Sequence, residues 1–148
     1  MRHTLAAAVL FLVAFGASAA DEVFVTDSVA IRGYDPVAYF TEGKPVKGEP
    51  EYQHAWNGAT WRFASRENLE LFGADPARYA PQFGGFCAYG LSRGYKVGTD
   101  PEAFTIRDGK LYLNYSIPVR TTWLKHTDVY IERGFANWTK LEHEPHQP

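Results

Sequence analysis

The stretch EYQHAWNGATWRFAS, residues 51–65, decides how the middle of this chain folds. Asn57-Gly58 is the preferred two-residue hairpin turn, because both positions of that turn need a positive φ. Ser65 then offers a hydroxyl that can cap the start of a helix. The stretch therefore predicts an antiparallel hairpin followed by a helix. The larger side chains alternate along both strands, as a half-buried hairpin requires: Tyr52, His54 and Trp56 before the turn, and Trp61 and Phe63 after it.

Short helices and a second hairpin are predicted around this stretch. Asp35 and Pro36 form a cap and first helical residue, so a short helix is expected over residues 37–41. Asp108-Gly109 marks the turn of a second hairpin. Strands and helices are thus interspersed, which favours an α+β fold in which a small antiparallel sheet of hairpins packs with short helices and a C-terminal helix.

The C-terminal helical pattern runs over residues 119–141 and is expected to break near Gly134. One face of this pattern recurs at helical spacing. Its members are Val119, Trp123, His126 and Tyr130.

The first residues, MRHTLAAAVLFLVAFGASAA, have the pattern of a secretory signal: a basic start, an apolar run and small residues at the end. The apolar run is shorter than the roughly 20 residues that span a bilayer. We therefore expect a signal peptide over residues 1–19, cleaved after Ala19 or Ala20, and a periplasmic or secreted protein with no membrane span. The expected domain covers residues 20–141, and the polar residues 142–148 are expected to be disordered.

Composition and charge exclude several functions. The chain has 15 basic and 17 acidic residues and no basic stripe, so nucleic acid is not an expected partner. Sequence motifs of common hydrolases, metalloproteases, phosphate loops and dithiol oxidoreductases are missing. We expect a binding module rather than an enzyme.

Three stretches together resemble the exported bacterial YHS-domain proteins. They are GYDPVAYF from residue 33, WNGATWRFASRENLELFGADPARYAPQFGGFCAYG from residue 56, and DGKLYLNYS from residue 108. The resemblance extends from about residue 33 to residue 141. It implies a compact domain of a family in which many members bind copper or other heavy metals through cysteine thiolates, which suit soft metals.

This chain departs from the family pattern at the positions of those cysteines. The resemblance places them at Ala38, Ala64 and Asn68. Alanine cannot ligate a metal, and an asparagine carbonyl is a poor ligand for a soft ion. The thiolate site of the family is therefore expected to be lost.

The remaining metal-ligand candidates are Cys87, His126 and His54. Cys87 is the only cysteine in the chain. It is either a soft ligand for copper or a related ion, a redox thiol, or a small buried residue, which is the usual fate of a lone free cysteine. His126 would be a second ligand if its helical face points inward, and His54 is the other candidate. Each histidine has an alternative role in packing.

Two other functions remain open. The domain is alternatively a small-molecule or protein-interaction module that has lost its metal site, or, as a third interpretation, a thiol-dependent redox enzyme. Aromatic side chains with a few polar groups form ligand pockets as well as cores. The candidates are Trp56, Trp61, Tyr79, Phe83, Phe86, Tyr89, Tyr112, Tyr115, Trp123 and Trp138.

Overall fold

A computed structural model describes residues 21–148, and the predicted signal peptide lies outside the described residues. The α+β fold is confirmed. The strands are β1 (Val25–Thr26), β2 (Val29–Ala30), β3 (Glu49–Trp56), β4 (Ala59–Phe63), β5 (Asp100–Arg107) and β6 (Lys110–Asn114). The helices are α1 (Ala38–Thr41), α2 (Arg66–Ala74), α3 (Pro76–Tyr79), α4 (Ala88–Ser92), α5 (Ile117–Trp123) and α6 (Thr127–Leu141).

The first sheet has the strand order β1-β2-β4-β3. Its β3–β4 hairpin turns at Asn57 and Gly58, both with positive φ, as predicted. Strand β2 joins the hairpin through a single parallel pair, Val29 with Thr60, whereas the other pairings are antiparallel. The Ser65 hydroxyl accepts a hydrogen bond from the Asn68 N–H and caps α2.

An aromatic core holds α2 against this sheet. Phe72 of α2 is fully buried and lies within 6 Å of four rings, measured between centroids. Removing such a ring costs about 3–5 kcal/mol because transfer and cavity terms add. The neighbouring rings belong to His54, Trp56, Trp61 and Phe63.

The second half of the chain builds a second core on the β5–β6 hairpin. Helix α6 packs there through Gly134, where an added Cβ would lie 2.8 Å from the Phe83 ring. The predicted break at Gly134 is therefore wrong, because this glycine allows close packing inside a continuous helix. The helical run is interrupted earlier, by a 3-10 turn at Leu124–His126.

The last residues lie against the domain. Lys96 is almost fully buried, and its ammonium donates hydrogen bonds to the carbonyl oxygens of Asp21, Glu142 and Glu144. The same ammonium lies 4.5 Å from the Phe86 ring centre. Residues 142–148, for which the sequence predicts disorder, thus make specific contacts with the domain, and two of these contacts are to a single buried cation.

None of the helices within residues 21–148 has the length and apolar character that crossing a membrane requires.

Candidate functional site

The carboxylate of Asp35 forms a saturated junction between α1, β4 and α2, hereafter the Asp35 junction. One oxygen accepts hydrogen bonds from the backbone N–H groups of Val37 and Ala38, at 2.8 and 3.3 Å. The other accepts from the Ala64 N–H at 2.9 Å and the Asn68 side-chain amide at 2.7 Å. A carboxylate offers about four lone-pair positions, and all of them are in use.

The Asp35 junction occupies the place where the resemblance puts the metal-binding cysteines. Ala38 and Ala64 turn backbone N–H groups, which are donors, toward the centre of the junction. Asn68 also presents its amide N–H. Donors cannot coordinate a cation, so these residues do not fit the family's metal.

Cys87 is buried at the start of α4 and is 1% exposed. Its sulfur accepts hydrogen bonds from the backbone N–H groups of Gly90, at 3.4 Å, and Tyr115, at 3.2 Å. The thiol lies 3.5 Å from the Asn114 side-chain oxygen, which also accepts from the Tyr89 N–H at 3.0 Å. Among residues 21–148, no acidic or basic side chain belongs to this hydrogen-bonded set.

Burial raises the pKa of the Cys87 thiol above its ordinary value, and the backbone N–H groups of Gly90 and Tyr115 only partly oppose that effect. A raised pKa keeps the thiol protonated at neutral pH, and the protonated form is a poor nucleophile and a poor ligand. These surroundings suit a buried structural thiol better than a reactive one.

The two histidines lie in other surroundings. His54 is half-buried on β3 and packs edge-to-face on Phe72, 5.9 Å between ring centres. His126 is exposed, because the 3-10 turn ends the periodic face on which it was expected to point inward. Within residues 21–148, no three His, Cys, Asp or Glu side chains come together as a metal-binding group.

A groove opens beside Cys87, hereafter the Tyr115 groove. It consists of two adjoining cavities, of about 500 and 290 Å³, that both include Tyr115 and Pro148 in their walls. The smaller, apolar half is floored by Cys87. Its other walls are Tyr89, Tyr95, Val97 and Val119.

The larger half of the groove is polar on one side. Arg32 and Asp100 lie in its wall, together with Phe24 and His146. Phe24 packs closely on Gly98, where an added Cβ would lie only 2.5 Å from its ring. This half therefore combines an aromatic surface with charged side chains.

The sequence identified two residues of this groove, Tyr89 and Tyr115, as pocket candidates but missed Arg32 and Asp100. Arg32 has a left-handed backbone conformation, with φ 50° and ψ 27°, which no residue pattern signals for an arginine. Asp100 precedes Pro101, and this Asp-Pro pair is the one sequence signal that could have pointed to Asp100.

This is a small α+β domain with a saturated polar junction at Asp35 and an open groove at Tyr115. Residues 37–83 match the family model of the YHS domain. The matched segment spans helices α1 to α3 and the β3–β4 hairpin. No curated protein and no solved structure was found to match the chain.

Proposed function

We propose that this protein is an exported YHS-domain binding module that holds a small organic molecule in the Tyr115 groove. The observation that carries the proposal is the pair of adjoining cavities of about 500 and 290 Å³ at Tyr115. Together they have the size of small-molecule sites, which typically measure about 300–1,000 Å³, and their walls include the aromatic rings of Phe24, Tyr89, Tyr95 and Tyr115. Tyr115 itself is 61% exposed between them. The signal-like sequence pattern of residues 1–19 supports the export.

The experiment is a titration of the mature protein with phenol, a neutral aromatic probe, followed by amide chemical shifts. Saturable shifts are expected for residues around Tyr115 and Val97. Val119→Trp should abolish them, because the indole would fill the apolar half of the groove. Val129→Trp is the matched control, since Val129 is 45% exposed and is not among the residues that line the groove. Shifts that do not saturate, or that persist in Val119→Trp, would contradict the proposal.

A second candidate function is copper binding. Two observations favour it: the YHS match and the position of the Cys87 sulfur on the floor of the groove. Among residues 21–148 no histidine lines the half of the groove that contains Cys87, and one thiolate alone makes a poor site even for a soft ion such as Cu(I). Under the small-molecule proposal, Cu(I) titrated against a competing chelator in reducing buffer binds equally weakly to the wild type and to Cys87→Ala. One tight equivalent that Cys87→Ala loses would favour copper instead.

A further inference from the structure

The Tyr115 groove contains two charged side chains that have no ionic partner. Among residues 21–148, no carboxylate lies within 4 Å of the Arg32 guanidinium, and no cation lies within 4 Å of the Asp100 carboxylate. His146, a further titratable side chain in the polar half, is already paired with Asp21 at 2.6 Å. Arg32 and Asp100 are therefore the charges that a ligand would meet.

Arg32 is exposed, and two contacts orient its side chain. Its Nε donates a hydrogen bond to the Thr99 carbonyl oxygen at 3.1 Å, and its guanidinium lies 5.5 Å from the centre of the Phe24 ring. These contacts use Nε and one face of the group. The two terminal nitrogens remain available to a ligand, and together they can bind a carboxylate through two parallel hydrogen bonds.

Asp100 is held in a similar way. One of its oxygens accepts a hydrogen bond from the backbone N–H of Glu102 at 2.9 Å, which fixes the side chain against its own strand. Its second oxygen accepts no hydrogen bond from residues 21–148. A half-buried carboxylate with a free oxygen is a receptor for an ammonium group.

We propose that the ligand of the Tyr115 groove is a zwitterion with an apolar side chain, such as an aromatic amino acid. The inference rests on the proposed function and adds the chemical class. The carboxylate would bind Arg32, the ammonium would bind Asp100, and the side chain would pass Tyr115 into the apolar half between Tyr89 and Val119. A groove with one fixed cation, one fixed anion and an aromatic wall complements both charges of such a molecule at once.

The test compares four probes in calorimetry and amide-shift titrations: phenylalanine, 3-phenylpropanoate, phenethylamine and phenol. Phenylalanine has both charges, the next two have one each, and phenol has neither. We expect phenylalanine to bind at least tenfold more tightly than either singly charged analogue. Equal affinity for phenylalanine and both analogues would overturn the zwitterion while leaving the groove intact. No binding of any probe, phenol included, would overturn the proposed function as well.

Two variants separate the charges. Arg32→Asn removes the guanidinium but suits the left-handed backbone, which asparagine adopts more readily than most residues. It should reduce phenylalanine affinity to that of phenethylamine. Asp100→Asn keeps an oxygen for the Glu102 N–H and should reduce phenylalanine affinity to that of 3-phenylpropanoate. Arg93→Gln, an exposed arginine outside the groove, is the charge control and should change nothing. An unchanged preference for phenylalanine in both groove variants would contradict the assignment.

Discussion

The pairs Asp35-Pro36 and Asp100-Pro101 have the same two residues and opposite surroundings. Asp35 is fully buried, and four N–H donors saturate its two oxygens. Asp100 is half-buried, binds one local N–H and turns toward a groove. The first carboxylate joins three elements of the fold, and the second faces a space large enough for a ligand.

The comparison shows how a carboxylate that fixes structure differs from one that can bind. A buried charge is stable only when its hydrogen-bonding capacity is met inside the protein. The Asp35 junction meets that condition without a ligand, so a ligand there would have to displace protein donors. Asp100 has hydrogen-bonding capacity left over, so a ligand that binds its second oxygen displaces no protein donor. Substitution of Asp100 should therefore change ligand affinity, and substitution of Asp35 should change the free energy of unfolding.

The largest effect is expected from Asp35→Ala. The substitution leaves four N–H donors without their acceptor, and because each buried donor left unsatisfied costs about 1–3 kcal/mol, a loss of about 3 kcal/mol or more of unfolding free energy is expected. Urea unfolding measures the loss. Asp75→Ala is the matched control, because Asp75 also precedes a proline but is exposed and its side chain caps nothing. The control should change stability by less than about 0.5 kcal/mol. A loss below about 1 kcal/mol in Asp35→Ala would contradict the structural role of the junction.

Much of the fold, and little of the groove, could be predicted from the sequence. The turn at Asn57-Gly58 and the cap at Ser65 depend on residues that are neighbours in the sequence, so the sequence pattern is enough to predict both. Asp35 was predicted as a local cap, and its oxygen does accept from the Val37 and Ala38 N–H groups. Its contacts with Ala64 and Asn68 join residues 29 and 33 positions apart, and no local pattern encodes them.

The candidate site also depends on contacts between residues that are far apart in the sequence. Cys87 is a candidate because it is the only cysteine in the sequence. Two of its hydrogen-bond partners, however, are Asn114 of β6 and Tyr115, the residue after Asn114. His126 was placed on a helical face that the 3-10 turn interrupts. Arg32 and Asp100 are 68 residues apart in the sequence, yet both lie in the wall of one cavity. Such pairs depend on the packing of the two halves of the chain, which periodicity cannot supply.

Gly98→Ala should affect both stability and binding. The new methyl group would overlap the Phe24 ring and push it from the wall of the groove. Overpacking of this kind costs about 1–3 kcal/mol, and phenol binding should weaken at the same time. Gly73→Ala is the control, because its methyl would meet only ordinary contacts, at 3.7 Å or more, within a helix. There the change should stabilise by about 0.5–1 kcal/mol. If Gly98→Ala left phenol affinity unchanged, the Phe24 wall would have no part in the groove.

A smaller effect is expected from the ionisation of Cys87. The pKa of its thiol is raised in the folded protein by burial, so the unfolded chain loses this proton first as the pH rises. The contribution to stability is complete below the ordinary thiol pKa near 9.0 and is lost as the pH rises toward the folded-state pKa. Unfolding free energies at pH 8, 9 and 10 should fall more steeply for the wild type than for Cys87→Ala, by at most about 1.4 kcal/mol per pH unit. Parallel slopes would mean that the thiol ionises equally in both states, as an exposed, reactive thiol would.

The smallest effect is expected from the contact between His146, in the C-terminal residues 142–148, and Asp21, the first described residue. The hydrogen bond from His146 lowers the pKa of Asp21, so this pair contributes stability above the ordinary aspartate value of 3.8 and loses it as the pH falls through the lower folded-state pKa. Both side chains are more than a third exposed, and exposed pairs contribute only about 0–1 kcal/mol. Asp21→Asn should therefore reduce stability by less than about 1 kcal/mol at pH 7, with the difference from wild type shrinking toward pH 2. A loss several times larger would mean that His146 holds the whole tail in place. Lys96, whose ammonium binds three backbone carbonyls, would then not be what holds residues 142–148 against the domain.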